Sequence, residues 1–381
     1  MEQELLLTAA CCRDARARQA FAAWRQTVDV EQEFDWQMVR LLPAVYANLQ
    51  ALGETDPLMA RLKGVYRRSW VETHRLLQRG ESVVAALSQA GIPVMMLKGA
   101  AMLLAYYPSH AQRPMGDLDL AVPIAHAPHA IAALRALGWQ PTSGESADHY
   151  RWFHAMQFFH PDGGELDLHW HVMVETTAGD GDTLLWDAAE SVEFSGQSVQ
   201  LLAPTDLLFH TVLHGVRWND ATPIRWIIDA RQILERRSAD IDWTRLLDLS
   251  ARLAVSHRMA LGLAYLSEHH DAAIPPVVLA TLRGGSSSWR ERLEASVILT
   301  DLADRPKHFL QYYYTMLADF SRVADPRLNA LAFAWQFPHY LRYRLKLGGR
   351  RELIGLVARG LFKRLGGGTM ATRTADAQGA A

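Results

Sequence analysis

The sequence predicts an α+β fold in which a small block of mixed strands and helices lies between a helical N-terminal segment and a large helical domain. Three observations support this prediction. Apolar residues recur at three- and four-residue spacing over residues 1–90, as on the buried face of helices. Short apolar or alternating runs, typical of strands, replace that period in residues 91–203, and the helical period returns over residues 204–365.

The N-terminal segment is predicted to contain two helical stretches. Residues 53–57 interrupt the periodic pattern with a glycine and a proline. The second stretch, residues 58–90, has a long apolar period, and Gly91 follows it as a residue that commonly ends a helix.

The central block begins with a change of period. Residues 92–97 are almost continuously apolar, which predicts a buried strand, and Lys98 and Gly99 end it. A helix is predicted next, over residues 100–107. Residues 117–122 then alternate polar and apolar side chains, as a half-buried strand does.

A second group of elements completes this block. Residues 127–137 have a helical pattern closed by a glycine. Residues 157–160 and 165–172 flank the turn Pro-Asp-Gly-Gly, which predicts a hairpin. Residues 192–202 are predicted to add one more strand, residues 284–288 to form a linker, and residues 366–381 to form a disordered tail.

The composition is that of an ordinary globular protein. With 49% hydrophobic and 21% charged residues, the chain of 381 residues is too apolar for a disordered protein and has no collagen or disulfide signature. Its 39 basic and 41 acidic residues give a formal net charge of −2, which argues against a surface that is basic overall and binds nucleic acid.

Three features of the chain predict a cytoplasmic location. The two cysteines, Cys11 and Cys12, are adjacent, and neighbouring residues rarely form an unstrained disulfide, so we expect a reducing compartment. The first residues are acidic where a signal peptide is basic. Finally, no apolar run reaches the roughly 18–20 residues that a membrane-spanning helix needs.

The first candidate site is a pair of carboxylates. Asp117 and Asp119 are two residues apart on a predicted strand, so their side chains share one face, where they could hold Mg²⁺ or Mn²⁺ beside a phosphate. Acidic residues at this spacing also occur elsewhere in the chain, so the pair alone is a weak signal. Examples are residues 33 and 35, 180 and 182, and 240 and 242.

The surroundings of this pair strengthen the signal. Asp167 belongs to a second such pair on another predicted strand. Gly99 lies at a strand-to-helix turn, where backbone N–H groups are free to bind phosphate. A phosphate cradle, a carboxylate pair and a third carboxylate are the parts that two-metal phosphoryl transfer requires.

These motifs resemble those of a known family. Leu97-Lys-Gly-Ala, residues 113–122 (RPMGDLDLAV) and residues 166–170 (LDLHW) are similar to segments of the uncharacterised bacterial nucleotidyltransferases, in the DNA polymerase beta nucleotidyltransferase superfamily. The likeness continues through residues 207–247 and spans roughly residues 30–350.

The resemblance implies a function for several residues. The reaction would move a nucleoside monophosphate from an NTP to an acceptor hydroxyl and release pyrophosphate. Asp117 and Asp119 would hold two Mg²⁺ (or Mn²⁺) ions, and Asp167 would complete one metal site and orient or deprotonate the acceptor. The backbone at Gly99 and Ala100 would grip the β- and γ-phosphates. The acceptor is not identified: a sugar, a peptide, a small metabolite or a tRNA all fit the resemblance.

One residue departs from the superfamily pattern. Ala100 stands where the usual turn has a serine, so a hydroxyl contact to phosphate is missing, and Lys98 or Arg113 could substitute for it. This departure leaves open an alternative function, a catalytically weak or inactive protein that uses the fold to bind a nucleotide or a partner.

Three further residues are predicted near the nucleotide, and for two of them an alternative is open. His169 is a candidate substrate contact, although Asp167, His169 and His171 could also form a zinc or iron set. His214 is a candidate active-site contact. Arg225 could bind phosphate or form an ordinary helical ion pair with Asp229.

The last helical segment is strongly basic. Residues 342–364 place Arg and Lys among apolar residues at helical spacing. Packing of that helix on the protein is the first expectation, followed by peripheral contact with anionic lipid and then with RNA.

Overall fold

The structure is a computed structural model. It describes residues 2–28, 36–144, 146–177, 179–216, 224–285, 308–324 and 329–347, together with residues 291, 349, 351–353 and 355. The chain divides into two compact units, Met1–Thr300 and Asp301–Ala381. The residues predicted as a tail, 366–381, lie outside the described residues, as do 286–288 of the predicted linker.

The first unit begins with helices that precede the sheet in the chain. Their bounds are α1 (Glu2–Cys11), α2 (Ala15–Thr27), α3 (Trp36–Val39), α4 (Leu42–Ala51) and α5 (Met59–Gln89). Gly53 has a φ of +74°, which ends the helical path after α4 at the predicted break. The long helix α5 packs directly on the sheet, because a Cβ at Gly80 would lie 2.7 Å from Leu118 Cδ2.

The central block forms a seven-stranded mixed sheet. Its elements are β1 (Met95–Met96), α6 (Lys98–Ala105), β2 (Asp117–Ala121), α7 (Ala127–Ala136), β3 (Gln140–Pro141), α8 (Ala147–Trp152), β4 (Ala155–Phe159), β5 (Glu165–His169), α9 (Gly181–Asp187), β6 (Glu190–Phe194) and β7 (Gln197–Leu201). The strand order is β3-β4-β5-β2-β1-β7-β6. The pairs β2–β5 and β1–β7 are parallel and the others antiparallel, so the predicted α+β class with a mixed sheet is confirmed.

The register of β2 and β5 sorts their side chains onto two faces. Leu118 lies opposite Leu166, and both are fully buried. Asp119 lies opposite Asp167 on the other face. Because side chains alternate along a strand, Asp117 and His169 share that polar face.

Several strands differ from their predicted extents, and of the predicted strand 92–97 only Met95–Met96 pairs in the sheet, as β1. The predicted strand 165–172 ends at His169, because the N–H groups of Trp170 and His171 both donate to the carbonyl oxygen of His154 and leave the ladder. The predicted single strand 192–202 is a hairpin of β6 and β7. Its turn is formed by Ser195 and Gly196, whose φ values are +49° and +77°.

Helices follow the sheet over the described residues as far as Gly284. They are α10 (Pro204–Gly215), α11 (Arg225–Arg237), α12 (Trp243–Arg252), α13 (Ser256–His270) and α14 (Pro276–Gly284). The end of α10 lies closely against α11, because a Cβ at Gly215 would meet Trp226 Cγ at 2.0 Å.

The described residues of the second unit include the helices α15 (His308–Val323) and α16 (Ala330–Arg344). Phe320 of α15 packs its ring against Phe333 and Tyr340 of α16, at centroid distances of 4.6 and 5.3 Å. Of the basic stretch 342–364, residues 348, 350, 354 and 356–364 lie outside the described residues. No helix in the described part of the chain is both long and apolar enough to cross a membrane, and the cytoplasmic location stays a prediction.

Candidate active site

Asp119 is the centre of the polar face of the sheet. Its side chain is only 3% exposed. Its Oδ1 accepts a hydrogen bond from Lys98 Nζ at 2.5 Å and lies 3.1 Å from His169 Nε2. The structure therefore brings together three of the residues that the sequence predicts for this site, from β2, α6 and β5.

The path of the chain explains why Lys98 reaches Asp119. Strand β1 runs antiparallel to β2, and the N–H of Leu97 donates to the carbonyl oxygen of Asp119 at 3.0 Å. Helix α6 therefore begins beside the middle of β2. Lys98 makes the turn from strand to helix with a φ of +43°, a conformation that costs a non-glycine residue about 1 kcal/mol or more.

Burial and charge act in opposite directions on the two central carboxyls. Burial favours the neutral form of Asp119, but the Lys98 ammonium and the hydrogen bond with His169 outweigh it and hold the pKa of Asp119 far below its usual range. Burial, followed by the charge of Asp119, raises the pKa of Asp167. One carboxyl is thus kept ionised, while its neighbour more readily accepts a proton.

The residues on this face fit a divalent cation. One ligand atom from each of Asp119, Asp167 and His169 lies within 4.8 Å of the others. Oδ1 of Asp167 is buried and has no hydrogen-bond partner, so it is an acceptor that a cation would satisfy. Asp117 lies one pleat earlier on the same face and is half-buried.

The predicted phosphate cradle lies at the first turn of α6. Gly99 and Ala100 are both buried there. A Cβ at Gly99 would lie 2.5 Å from Arg113 Nη1 and 2.6 Å from Met115 Sδ. Side chains of the loop before β2 therefore pack so closely on this turn that a side chain at position 99 would clash with them.

Arg113 is held in a buried ion pair. Its Nε donates to both carboxylate oxygens of Asp229 at 2.9 and 3.0 Å, and its Nη2 donates to Oδ2 at 2.8 Å. The hydroxyl of Tyr107 donates to Oδ1 of the same carboxylate at 2.8 Å. The remaining nitrogen, Nη1, is the one beside Gly99. The sequence reasoning missed the pairing with Asp229, since the partners are 116 positions apart and no local pattern marks them.

Arg225 lies close to this pair but makes a different bond. It donates to the carbonyl oxygen of Pro114, in the loop that leads to Asp117, rather than to Asp229. Burial and the charges of Arg113 and Arg40 lower the pKa of Arg225 to about 9. Arg40, which the sequence analysis did not select, therefore lies in the same cationic neighbourhood.

Helix α10 extends toward the same face. His210 is buried and its ring stacks on that of His214 at 6.0 Å. Burial, followed by the charges of Lys98 and His169, lowers the pKa of His210 to about 3. His171 does not join this site, because its Nδ1 pairs with the Asp182 carboxylate. The metal set of Asp167, His169 and His171 that the sequence suggested therefore does not form; Asp119 takes the place of His171 in the cluster.

Comparison with known proteins identifies the family. The sequence profile of a family described as uncharacterised nucleotidyltransferase matches residues 36–271. The chain belongs to this family. The predicted enzyme class, a nucleotidyltransferase, is thereby confirmed, and with it the use of a nucleoside triphosphate and an acceptor as substrates. A search of the curated proteins found no match.

Several solved structures are similar at low identity. An antigenic nucleotidyltransferase-like protein from Paracoccidioides brasiliensis is 17% identical, with 55% of this chain and 97% of that chain covered and a TM-score of 0.36. The lincosamide antibiotic adenylyltransferase LnuA, bound to lincomycin, is 13% identical, with coverages of 39% and 89% and a TM-score of 0.28. The antibiotic-resistance factor ANT(2'')-Ia is 15% identical, with coverages of 52% and 99% and a TM-score of 0.34.

Proposed function

We propose that this nucleotidyltransferase, as a member of the DNA polymerase beta superfamily, moves a nucleoside monophosphate from an NTP to an acceptor hydroxyl. One observation carries the proposal. The parallel register of β2 and β5 sets Asp119 opposite Asp167, on the face that the first turn of α6 adjoins. Carboxylates from two strands beside free helix N–H groups suit a metal-bound triphosphate.

Asp117, Asp119 and Asp167 would hold the divalent cations, Mg²⁺ or Mn²⁺. Such ions polarise the phosphoryl oxygens and lower the pKa of a bound hydroxyl. Asp119 stays ionised because the Lys98 ammonium compensates its charge and His169 forms a hydrogen bond with it. Asp167 would receive the proton of the acceptor hydroxyl as the acceptor oxygen attacks the α-phosphorus and the bond to pyrophosphate breaks.

The triphosphate would lie at the first turn of α6. The N–H groups of Gly99 and Ala100 would bind its oxygens, because the first N–H groups of a helix have no partner within it. Arg113 would contribute Nη1, the nitrogen that Asp229 does not use. Lys98 would move from Asp119 to the phosphates as the cation takes over the compensation of that carboxylate.

Two side chains from the later helices would complete the nucleotide site. Arg225, bound to the loop before Asp117, would face the phosphates, and burial among other guanidinium groups makes an anion favourable there. His214, stacked on His210, would contact the nucleotide or the acceptor. The identity of the acceptor, a sugar, peptide, metabolite or tRNA, stays a prediction. So does any contact of the basic stretch 342–364 with lipid or RNA.

The decisive experiment measures transfer directly. Purified protein is incubated with each α-³²P-labelled NTP, Mg²⁺ or Mn²⁺, and total cell extract as a source of acceptor. We expect a labelled product and released pyrophosphate with at least one NTP. Asp119→Asn should reduce both to background, because the buried central ligand is lost.

Asp162→Asn is the matched control. Asp162 lies in the turn between β4 and β5, with its side chain 81% exposed, so its loss should leave transfer unchanged. Equal activity of wild type and the folded Asp119 variant would contradict the proposal. Nucleotide binding without pyrophosphate release in the wild type, with every NTP and metal, would instead favour the nucleotide-binding module.

A further inference from the structure

We propose that His169 is a direct ligand of the cation at Asp119 and Asp167, and that its imidazole makes this position select Mn²⁺ over Mg²⁺. The inference rests on the proposed function, because it concerns the same metal site. The three carboxylates that the family resemblance implies are all oxygen donors. The cluster of possible ligands that the fold brings together, Asp119, Asp167 and His169, also contains a nitrogen donor.

The sheet positions His169 for this role. It follows Asp167 by two residues on β5, so both side chains lie on the polar face, and its partner in β2 is Ala121. Its Nε2 lies 3.1 Å from Asp119 Oδ1. Neighbouring ligand atoms of an octahedral ion with bonds of ~2.1 Å lie about 3 Å apart, so this spacing suits two donors on one cation.

Nε2 is the ring nitrogen that faces Asp119, and it is the one that would bind a cation. A neutral imidazole has one N–H and one nitrogen lone pair. When Nε2 carries the proton it donates to Asp119, and the buried Nδ1 has no partner in either tautomer. When Nε2 is unprotonated, it and the carboxylate oxygen are two acceptors that repel each other at 3.1 Å, unless a cation lies between them.

Asp167 supplies the second independent observation. Its Oδ1 is buried without any hydrogen-bond partner, and it belongs to the same cluster of ligand atoms. Buried polar atoms are nearly always satisfied in folded proteins. A single cation bound by Asp119, Asp167 and His169 would satisfy the orphaned carboxylate oxygen and bring the imidazole into its coordination shell.

The donor set determines the kind of metal. Mg²⁺ prefers an octahedron of oxygen ligands and keeps much of its water, whereas first-row transition ions accept imidazole nitrogen readily. Of the two ions that the proposed function names, Mn²⁺ is therefore favoured over Mg²⁺ by two carboxylates with one imidazole. Asp117, one pleat away on the same face, leaves the second metal with oxygen donors only, as Mg²⁺ prefers.

The test measures metal binding without catalysis. Mn²⁺ is titrated into the purified full chain and free Mn²⁺ is followed by electron paramagnetic resonance. Pulsed measurements on the bound ion should show coupling to one ¹⁴N nucleus, and protein labelled with ¹⁵N-histidine should shift that coupling. His169→Ala should abolish the coupling and weaken Mn²⁺ binding by about tenfold or more, with a smaller loss for Mg²⁺ measured by competition.

The control is His129→Gln. His129 is exposed on α7, so this variant should retain both the nitrogen coupling and the Mn²⁺ affinity. Bound Mn²⁺ without histidine-nitrogen coupling in the wild type would overturn the inference, even if His169→Ala fails to fold. Coupling that persists in the folded His169 variant, or an absence of Mn²⁺ binding, would also overturn it.

The two proposals fail separately. Intact nitrogen coupling in a wild-type protein that releases no pyrophosphate with any NTP would contradict the proposed function alone and would support the ligand assignment. Transfer activity with Mg²⁺ in a protein whose bound Mn²⁺ shows no nitrogen coupling would support the proposed function and refute the role of His169.

Discussion

The buried pair of Arg113 and Asp229 makes the sharpest stability prediction. Both side chains are nearly inaccessible, with 10% and 6% exposed. Arg113 makes three hydrogen bonds to the carboxylate, and Tyr107 makes a fourth. Asp229→Asn preserves the shape of the side chain but removes its charge, and so leaves a buried guanidinium without a counter-ion.

The size of the effect follows from this environment. Breaking a buried pair by removing one partner costs about 3–5 kcal/mol, whereas an exposed pair contributes about 0–1 kcal/mol. Since Asn can still accept one hydrogen bond, we expect a loss of about 3 kcal/mol for Asp229→Asn. Tyr107→Phe should lose about 1 kcal/mol, the net value of one hydrogen bond.

Urea denaturation followed by tryptophan fluorescence measures these free energies of unfolding. The matched control is Glu72→Gln, whose carboxylate pairs with Arg68 on the surface of α5 at side-chain exposures of 52% and 78%, and which should change stability by less than about 0.5 kcal/mol. The double variant Arg113→Met with Asp229→Leu should cost less than the sum of the single changes. A loss below about 1 kcal/mol for Asp229→Asn, or strict additivity in the double variant, would refute the reasoning.

Three further predictions concern the same region. Gly99→Ala should destabilise the fold by about 1–3 kcal/mol, because its Cβ would lie 2.5 Å from Arg113 Nη1. The control Gly64→Ala, with nothing within 4 Å of the new Cβ, should stabilise α5 by up to about 1 kcal/mol. Thermal unfolding of both variants measures these changes. Burial lowers the pKa of His210 from 6.5 to about 3, so between these pH values the unfolded chain binds a proton on this ring that the folded protein does not. The free energy of unfolding should therefore fall as the pH drops from about 6.5 toward 3. Denaturation across this range should show a shallower fall for His210→Gln, and parallel curves for variant and wild type would contradict this role of His210. Mn²⁺ should raise the melting temperature of the wild type by binding the folded state, and Asp167→Asn should lose most of that increase in the same scan.

The sequence by itself predicted the local part of the site. Alternation along β2 assigned Asp117 and Asp119 to one face, and a similar motif suggested Asp167, because the period of a strand depends only on neighbouring residues. The change of period also located the sheet between helices, and the mixed-sheet class is confirmed. The ends of the strands were predicted less accurately. Strand β5 ends at His169 because the next two N–H groups donate to the carbonyl oxygen of His154, which lies on another segment.

The tertiary structure determined which of those groups meet. Asp119 and His169 are 50 positions apart, and Arg113 and Asp229 are 116 positions apart. Their contacts depend on the parallel pairing of β2 with β5 and on the packing of α11 against the loop before β2. No periodic pattern in the sequence reveals either arrangement. The pairing of distant segments is decided by burial of their apolar faces, not by the spacing of residues within each segment.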